Sequence, residues 1–222
     1  PLAPMKPEVL ENYQGPEFRA RGIRVGVIRG GFGSGSVLEY LQGLEGIDAQ
    51  PLNGKAGLFA ACQVIVYPQP RRNGELTPTA LADLREFVKK GGGLIALHDA
   101  PGYRECPLLI PEVCARGTLN VIEEHWRVEG AHPVTAGLAQ AAPLTKSYYD
   151  FITLEAGPQG EVVARSFEGG QPVVIAGRYG RGRYVACEIC IGIGPGMALA
   201  DAAPTPAEAR LLENAVRWVA GD

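Results

Sequence analysis

The sequence predicts an α/β fold: a doubly wound, mostly parallel sheet with an added β-hairpin. Three observations predict it. Short apolar runs bounded by turn residues recur at Ile23 to Ile28, Gln63 to Tyr67 and Leu94 to Leu97, and such runs read as buried strands. Helical stripes alternate with them, and strand-helix alternation means parallel pairing with right-handed crossovers. A long extended stretch, Pro172 to Ile191, turns back on itself around Gly180-Arg181-Gly182 and reads as the hairpin.

Taken in order, residues 1–22 are Pro-rich and of mixed polarity, an arm expected to lie over one domain formed by residues 23–222. The first strand ends in a glycine-rich turn, Arg29 to Ser36. Ser36 and Glu39 then have capping-box spacing, with Val37, Leu41 and Leu44 on one helix face. Ile47 to Leu52 is a weaker second strand, and the third, Gln63 to Tyr67, is closed by Pro68. A loop carrying Arg71 and Arg72 leads to Thr77, which caps a helix with Pro78 in its first position. Lys89 and Lys90 sit at the negative end of its dipole, and Gly91 is the left-handed stop. The strand Leu94 to Leu97 follows. Beyond Pro101 the periodicity weakens: Pro107 to Arg116 reads as a short helix, Thr118 to Val128 as mixed strand and charge, and Ala131 to Leu138 as a turn-rich connection. Extended runs follow at Asp150 to Leu154 and Glu161 to Phe167. Thr205-Pro206-Ala207-Glu208 is a second capping box, opening a final helix that buries Leu212, Ala215, Val216 and Val219.

Bulk composition limits the function. Hydrophobic residues make up 46% and charged residues 20% of 222, ordinary globular values. A net charge of −3 carries no electrostatic footprint for nucleic acid or an anionic membrane. No apolar run approaches the roughly 20 residues that span a bilayer, and no basic-then-apolar targeting leader opens the sequence. The five cysteines are odd in number and scattered, the pattern of buried thiols in a reducing compartment such as the cytoplasm. Cys187 and Cys190 have metal-like spacing, but residues three apart on a strand point to opposite faces.

In an open α/β sheet, ligands bind beyond the carboxyl ends of the strands, where strand order reverses. Three exits lead there: Arg29 to Ser36, Pro68 to Arg72, and His98 to Arg104. Gly31 and Gly33 can offer backbone amides to an anion, or form a tight turn with no ligand. Gln69 lies at the second exit. His98 and Asp99 end a strand otherwise made of Leu, Ile and Ala, and together offer acid-base chemistry. A turn-capping pair is the plain alternative. Tyr103 and Arg104 follow closely enough to orient a carboxylate or sugar hydroxyls. Glu188 is the lone charge in Tyr184 to Ile191, so it pairs with an arginine or faces the site with a raised pKa and serves as a base. His132 precedes Pro133, is held extended, and anchors a turn or a ligand. His98, His125 and Glu123 are the side chains from which a divalent-metal site could be assembled, although no compact ligand motif joins them. Otherwise no cofactor is expected.

Three segments carry a likeness: GGGLIALHDA at 91–100, HPVTAGL at 132–138 and QPVVIAGRYGRGRYVAC at 171–187. In these the chain resembles the ThuA-like (trehalose-utilisation) family, within the class I glutamine amidotransferase-like superfamily. The resemblance implies a flavodoxin-like α/β sandwich and a tie to carbohydrate metabolism. It also exposes departures. Amidotransferases place a nucleophilic Cys in an elbow after the strand matching Leu94 to Leu97, where this chain has Leu97-His98-Asp99-Ala100-Pro101, and Cys106 comes too late. Their His-x-Glu is absent, since His132-Pro133 is followed by Val134, and Tyr67-Pro68-Gln69-Pro70 stands where oxyanion-hole glycines would be. Glutamine hydrolysis by the Cys-His-Glu triad is therefore not expected. ThuA-like sequences also often carry an Asp-Glu pair before a tyrosine; here Lys146-Ser147-Tyr148 occupies that place. The expectation is an enzyme or enzyme relative that binds or transforms a small polar metabolite such as a sugar derivative. A non-catalytic binding or subunit module, with a homodimer as its expected assembly, and a metal-assisted hydrolase are the alternatives.

Overall fold

In the computed structural model, which describes residues 13–19, 22–71, 76–103, 106–115, 120–140 and 142–221, the first half of the chain winds as its alternation requires. It runs β1 (Ile23–Ile28), α1 (Ser34–Gln42), β2 (Ile47–Leu52), β3 (Val64–Tyr67), α2 (Pro78–Lys89) and β4 (Gly93–Leu97). The second half is strand-rich. It runs β5 (Cys114–Ala115), β6 (Asn120–Ile122), β7 (His125–Val128), β8 (Leu144–Thr145), β9 (Asp150–Ile152), β10 (Glu155–Ala156), β11 (Gly160–Ser166), β12 (Pro172–Tyr179) and β13 (Gly182–Cys187), then α3 (Pro206–Ala220).

Nine strands form one sheet in the order β2-β1-β3-β4-β13-β12-β11-β7-β8. From β2 to β13 neighbours are parallel, and from β13 onward they are antiparallel. The hairpin β12–β13 is therefore built into the sheet: β13 lies parallel to β4, pairing Arg183 with Gly93 and Cys187 with Leu97. Successive side chains of β4 point to opposite faces. Ile95 and Leu97 join the core under α1 and α3, with Val37, Leu41, Leu212 and Val216. Leu94 and Ala96 join the core under α2, with Leu81, Leu84 and Val88. Leu94, Ile95 and Leu97 are at most 1% exposed, each burial contributing about 1.5–3 kcal/mol. Gly93 is small because Val219 of α3 crosses it, and a Cβ there would lie 2.7 Å from that residue.

Two helix expectations need correction. The first helix does not start at a Ser36–Glu39 capping box. Its N-cap is three residues earlier, at Gly33, which sits at φ 70 with no side-chain cap. Gly33 is pressed against the chain leaving β13, where a Cβ would meet the Ile191 carbonyl oxygen at 2.7 Å. That crossing fixes where the helix can begin. Pro107 to Arg116 is not a helix either. Residues 107–110 are irregular, a turn spans 111–113, and β5 follows, with Arg116 outside the described residues. Pro111 interrupts any helical ladder. The Leu108 and Leu109 carbonyls instead accept from the Arg85 guanidinium of α2, the latter at 2.9 Å from Nε. The caps of α2 and α3 form as the sequence requires, with Ala80 N–H donating to Thr77 Oγ1 at 3.2 Å and a full capping box at Thr205 and Glu208.

Of the N-terminal arm, Tyr13 and Phe18 pack against the α2-side core, and the Tyr13 hydroxyl donates to the Pro51 carbonyl. Residues 1–12, 20 and 21 lie outside the described residues. No described helix is long and apolar enough to cross a membrane.

Candidate functional site

Strand order reverses between β1 and β3, and the carboxyl ends of four parallel strands meet at that edge. Phe32 N–H, after β1, donates to the Gln69 carbonyl, after β3, at 2.8 Å. The Gln69 side-chain oxygen accepts from the Cys190 thiol, beyond β13, at 2.7 Å. His98 N–H, at the end of β4, donates to the Cys187 carbonyl at 2.7 Å. Gly31, Gly33, Gln69 and His98 thus stand at one edge, joined by a fourth exit, residues 188–192, which sequence reasoning treated as strand.

His98 is the centre of this arrangement. It is the one non-glycine residue with positive φ among the described residues, at 50°, a left-handed conformation that costs an L-residue roughly 1–2 kcal/mol. The residue is 2% exposed. Nδ1 lies 3.0 Å from the Asp99 carboxylate. With Nδ1–H donating there, Nε2 carries the lone pair, and Nε2 is buried without a partner. The Tyr148 ring stands edge-on to the imidazole, centroids 6.2 Å apart. Tyr148, Cys190, Ile193 and Phe32 form a small apolar cluster here. Burial, and then the charges of Asp150, Cys190 and Asp99, hold the Tyr148 hydroxyl above its ordinary pKa.

Glu188 follows β13 one residue beyond the Leu97–Cys187 pair. It is fully buried, and neither carboxyl oxygen has a hydrogen-bond partner. Among the described residues no arginine pairs with it. Burial first, then repulsion from Asp99 and Asp150, pushes its pKa well above the glutamate range. A carboxyl kept protonated in this way can give up a proton where an exposed glutamate cannot. Asp150 Oδ1 is likewise buried and unpartnered.

Sequence reasoning missed the segment behind Tyr148. Lys146 is 2% exposed, donates from Nζ to the Tyr149 carbonyl at 3.0 Å, and lies 4.2 Å from the Phe151 ring centre. Burial lowers its pKa to about 8, against the pull of Glu123, Asp150 and Glu208. Ser147 is held by Glu208, the capping-box acid of α3. A lysine and a serine next to the tyrosine registered in the sequence only as a departure from the family pattern.

The remaining expected residues divide. Tyr103 is half-buried in the turn after His98, its N–H donating to the Asp99 carbonyl at 3.2 Å. Arg104 and Arg72 lie outside the described residues. His132 stands at the opposite edge. Its Nδ1 accepts from Val134 N–H at 3.1 Å, and its ring packs 4.9 Å from Trp218, beside Arg183 at the amino end of β13. Burial chiefly lowers its pKa. The His125 ring packs on Phe167, and buried Glu123 accepts from Glu168 N–H. His98, His125 and Glu123 do not assemble: among the described residues no three His, Cys, Asp or Glu side chains are grouped to hold a metal ion.

No protein-family model matches the chain, and no curated protein matches it. Solved structures do. A ThuA-like protein from Parabacteroides merdae is 14% identical with a TM-score of 0.66, over 90% of this chain and 91% of that one. A ThuA-like protein from Bacteroides uniformis is 15% identical with a TM-score of 0.64, over 94% and 95%. A cytoplasmic protein of Salmonella typhimurium is 18% identical with a TM-score of 0.63, over 89% and 99%. The β-galactosidase of Bacillus circulans matches over 88% of this chain but only 31% of its own length, at 11% identity and a TM-score of 0.62. The chain therefore has the α/β fold of the ThuA-like proteins, whose sequence pattern it resembles.

Proposed function

We propose that this is a ThuA-like protein of flavodoxin-like, doubly wound architecture that binds and transforms a small polar, hydroxyl-bearing metabolite, a sugar derivative, at the carboxyl edge of its parallel strands. One observation carries the reading. A histidine is held in a left-handed conformation at a strand end, with one ring nitrogen against Asp99 and the other buried and unpartnered. Backbone strain of this kind persists where the surrounding structure enforces it, and it clusters at working sites. His98 is the acid-base group and Asp99 orients it. Glu188 is the proton-bearing partner. Gly31, Gly33, Gln69, Tyr103 and Arg104 bind and orient the ligand. A carbohydrate setting is supported by the β-galactosidases among the proteins of similar fold. The cysteines are buried thiols, which supports a reducing, cytoplasmic location.

Isothermal titration with a panel of aldoses, ketoses, lactones and disaccharides tests the reading. At least one should bind, and His98→Asn should weaken it by tenfold or more, about 1.4 kcal/mol. Binding that His98→Asn leaves unchanged overturns it. The second reading, a non-catalytic module, draws on the 2% exposure of His98. It expects binding without turnover of any bound sugar.

A further inference from the structure

Glu208 makes more bonds than a helix cap requires. Its side chain is fully buried at the start of α3. A capping box asks one thing of it, to accept the Thr205 N–H, which Oε2 does at 2.8 Å. Oε1 also accepts the Ser147 N–H at 2.8 Å and the Ser147 hydroxyl at 2.9 Å, across 61 positions of sequence. Ser147 is pinned from its other side too: its carbonyl accepts from Gly196 N–H at 2.9 Å, and the Gly196 carbonyl accepts from Tyr149 N–H at 2.9 Å. Both neighbours of Tyr148 are therefore fixed, and Tyr148 is the ring that stands edge-on to His98.

We infer that Glu208 is a positioning residue: by holding Ser147 it sets the Tyr148 ring against the His98 imidazole and so controls the environment of the unpartnered Nε2. The inference rests on the reading of His98 as the working group.

The chain holds three histidines, so side-chain NMR titration of the whole protein, with each imidazole assigned by its own His→Asn variant, reads the effect directly. In Glu208→Ala the His98 ring signals should move, while His132 stays in place. His132 packs on Trp218 of α3, so it reports whether the helix itself has been disturbed. Glu208→Gln keeps an acceptor for Ser147 and should restore the wild-type His98 signals. If Glu208→Ala does not fold, Ser147→Ala should move the His98 signals in its place. Unmoved His98 signals in Glu208→Ala or Ser147→Ala, or His132 moving as far as His98, overturn the inference. Should His98 move while His98→Asn leaves sugar binding unchanged, the positioning role stands and the proposed function falls.

Discussion

Glu188→Gln should change how stability depends on pH. Both oxygens of Glu188 are buried without partners, and its pKa lies well above the ordinary 4.5. Once the pH passes 4.5, the unfolded chain releases this proton and the folded chain keeps it. The folded state then binds more protons, so stability falls as pH rises, by about 1.4 kcal/mol per pH unit for one group until the folded carboxyl itself titrates. The stabilising contribution is thus fully present below pH 4.5 and lost upward from there. Gln is neutral throughout and of the same shape. Urea unfolding at about pH 5 and about pH 6 should show wild type losing about 1 kcal/mol more than the variant over that step. Comparing the two proteins at each pH isolates the contribution of residue 188. Parallel stability curves for the two proteins would refute the reasoning, because they would mean Glu188 is ionised and paired in the folded chain.

Gly33→Ala places a Cβ 2.7 Å from the Ile191 carbonyl at φ 70; thermal melts should show a loss of at least about 1–2 kcal/mol from the conformation alone. Lys146→Met should shed a pH dependence of the opposite sense. The lysine's folded pKa of about 8 lies below 10.5, so across that window the unfolded state binds more protons and wild-type stability rises relative to the variant, by about 3 kcal/mol in all. The buried thiols work against it above pH 9, since Cys62 and Cys114 keep protons that the unfolded chain loses. The difference between the two proteins, measured by urea unfolding from about pH 7 to about pH 9, is therefore the quantity to read; a constant difference would argue against a depressed Lys146.

The parallel half was legible because each strand there is a short apolar run followed by a helix with its own caps, and local signals agree with the global winding. The polar exit of β4 was legible for the same reason, as an imidazole and a carboxylate ending an otherwise apolar strand. The start of α1 was not. Ser36 and Glu39 have the spacing of a cap, and nothing local reveals that Ile191, more than 150 residues on, must pass over Gly33. The hairpin β12–β13 was visible from its turn, but its parallel pairing with β4 is a long-range fact that a hairpin signal conceals. Glu208 and Lys146 were hidden differently. Each has an adequate local explanation, as a cap and as a surface charge, and only burial of both side chains reveals the second role.

The proposed site is costly to the fold. The φ of His98 costs roughly 1–2 kcal/mol, and each buried polar group left unpartnered costs about 1–3 kcal/mol more. His98 Nε2, Asp150 Oδ1 and both oxygens of Glu188 are such groups. Together they weigh heavily against a net stability of only about 5–15 kcal/mol. A residue retained for packing should destabilise when replaced, typically by about 1 kcal/mol and by more when fully buried. A residue retained for chemistry should not. Glu188→Leu removes the orphaned carboxyl, and His98→Asn puts a residue that tolerates the left-handed region in place of one that resists it. Each should leave urea stability at pH 7 equal to or above wild type, while sugar binding or turnover is lost. If both variants instead lose more than about 2 kcal/mol, His98 and Glu188 are structural members of the core, and the strained edge of β4 is no active centre.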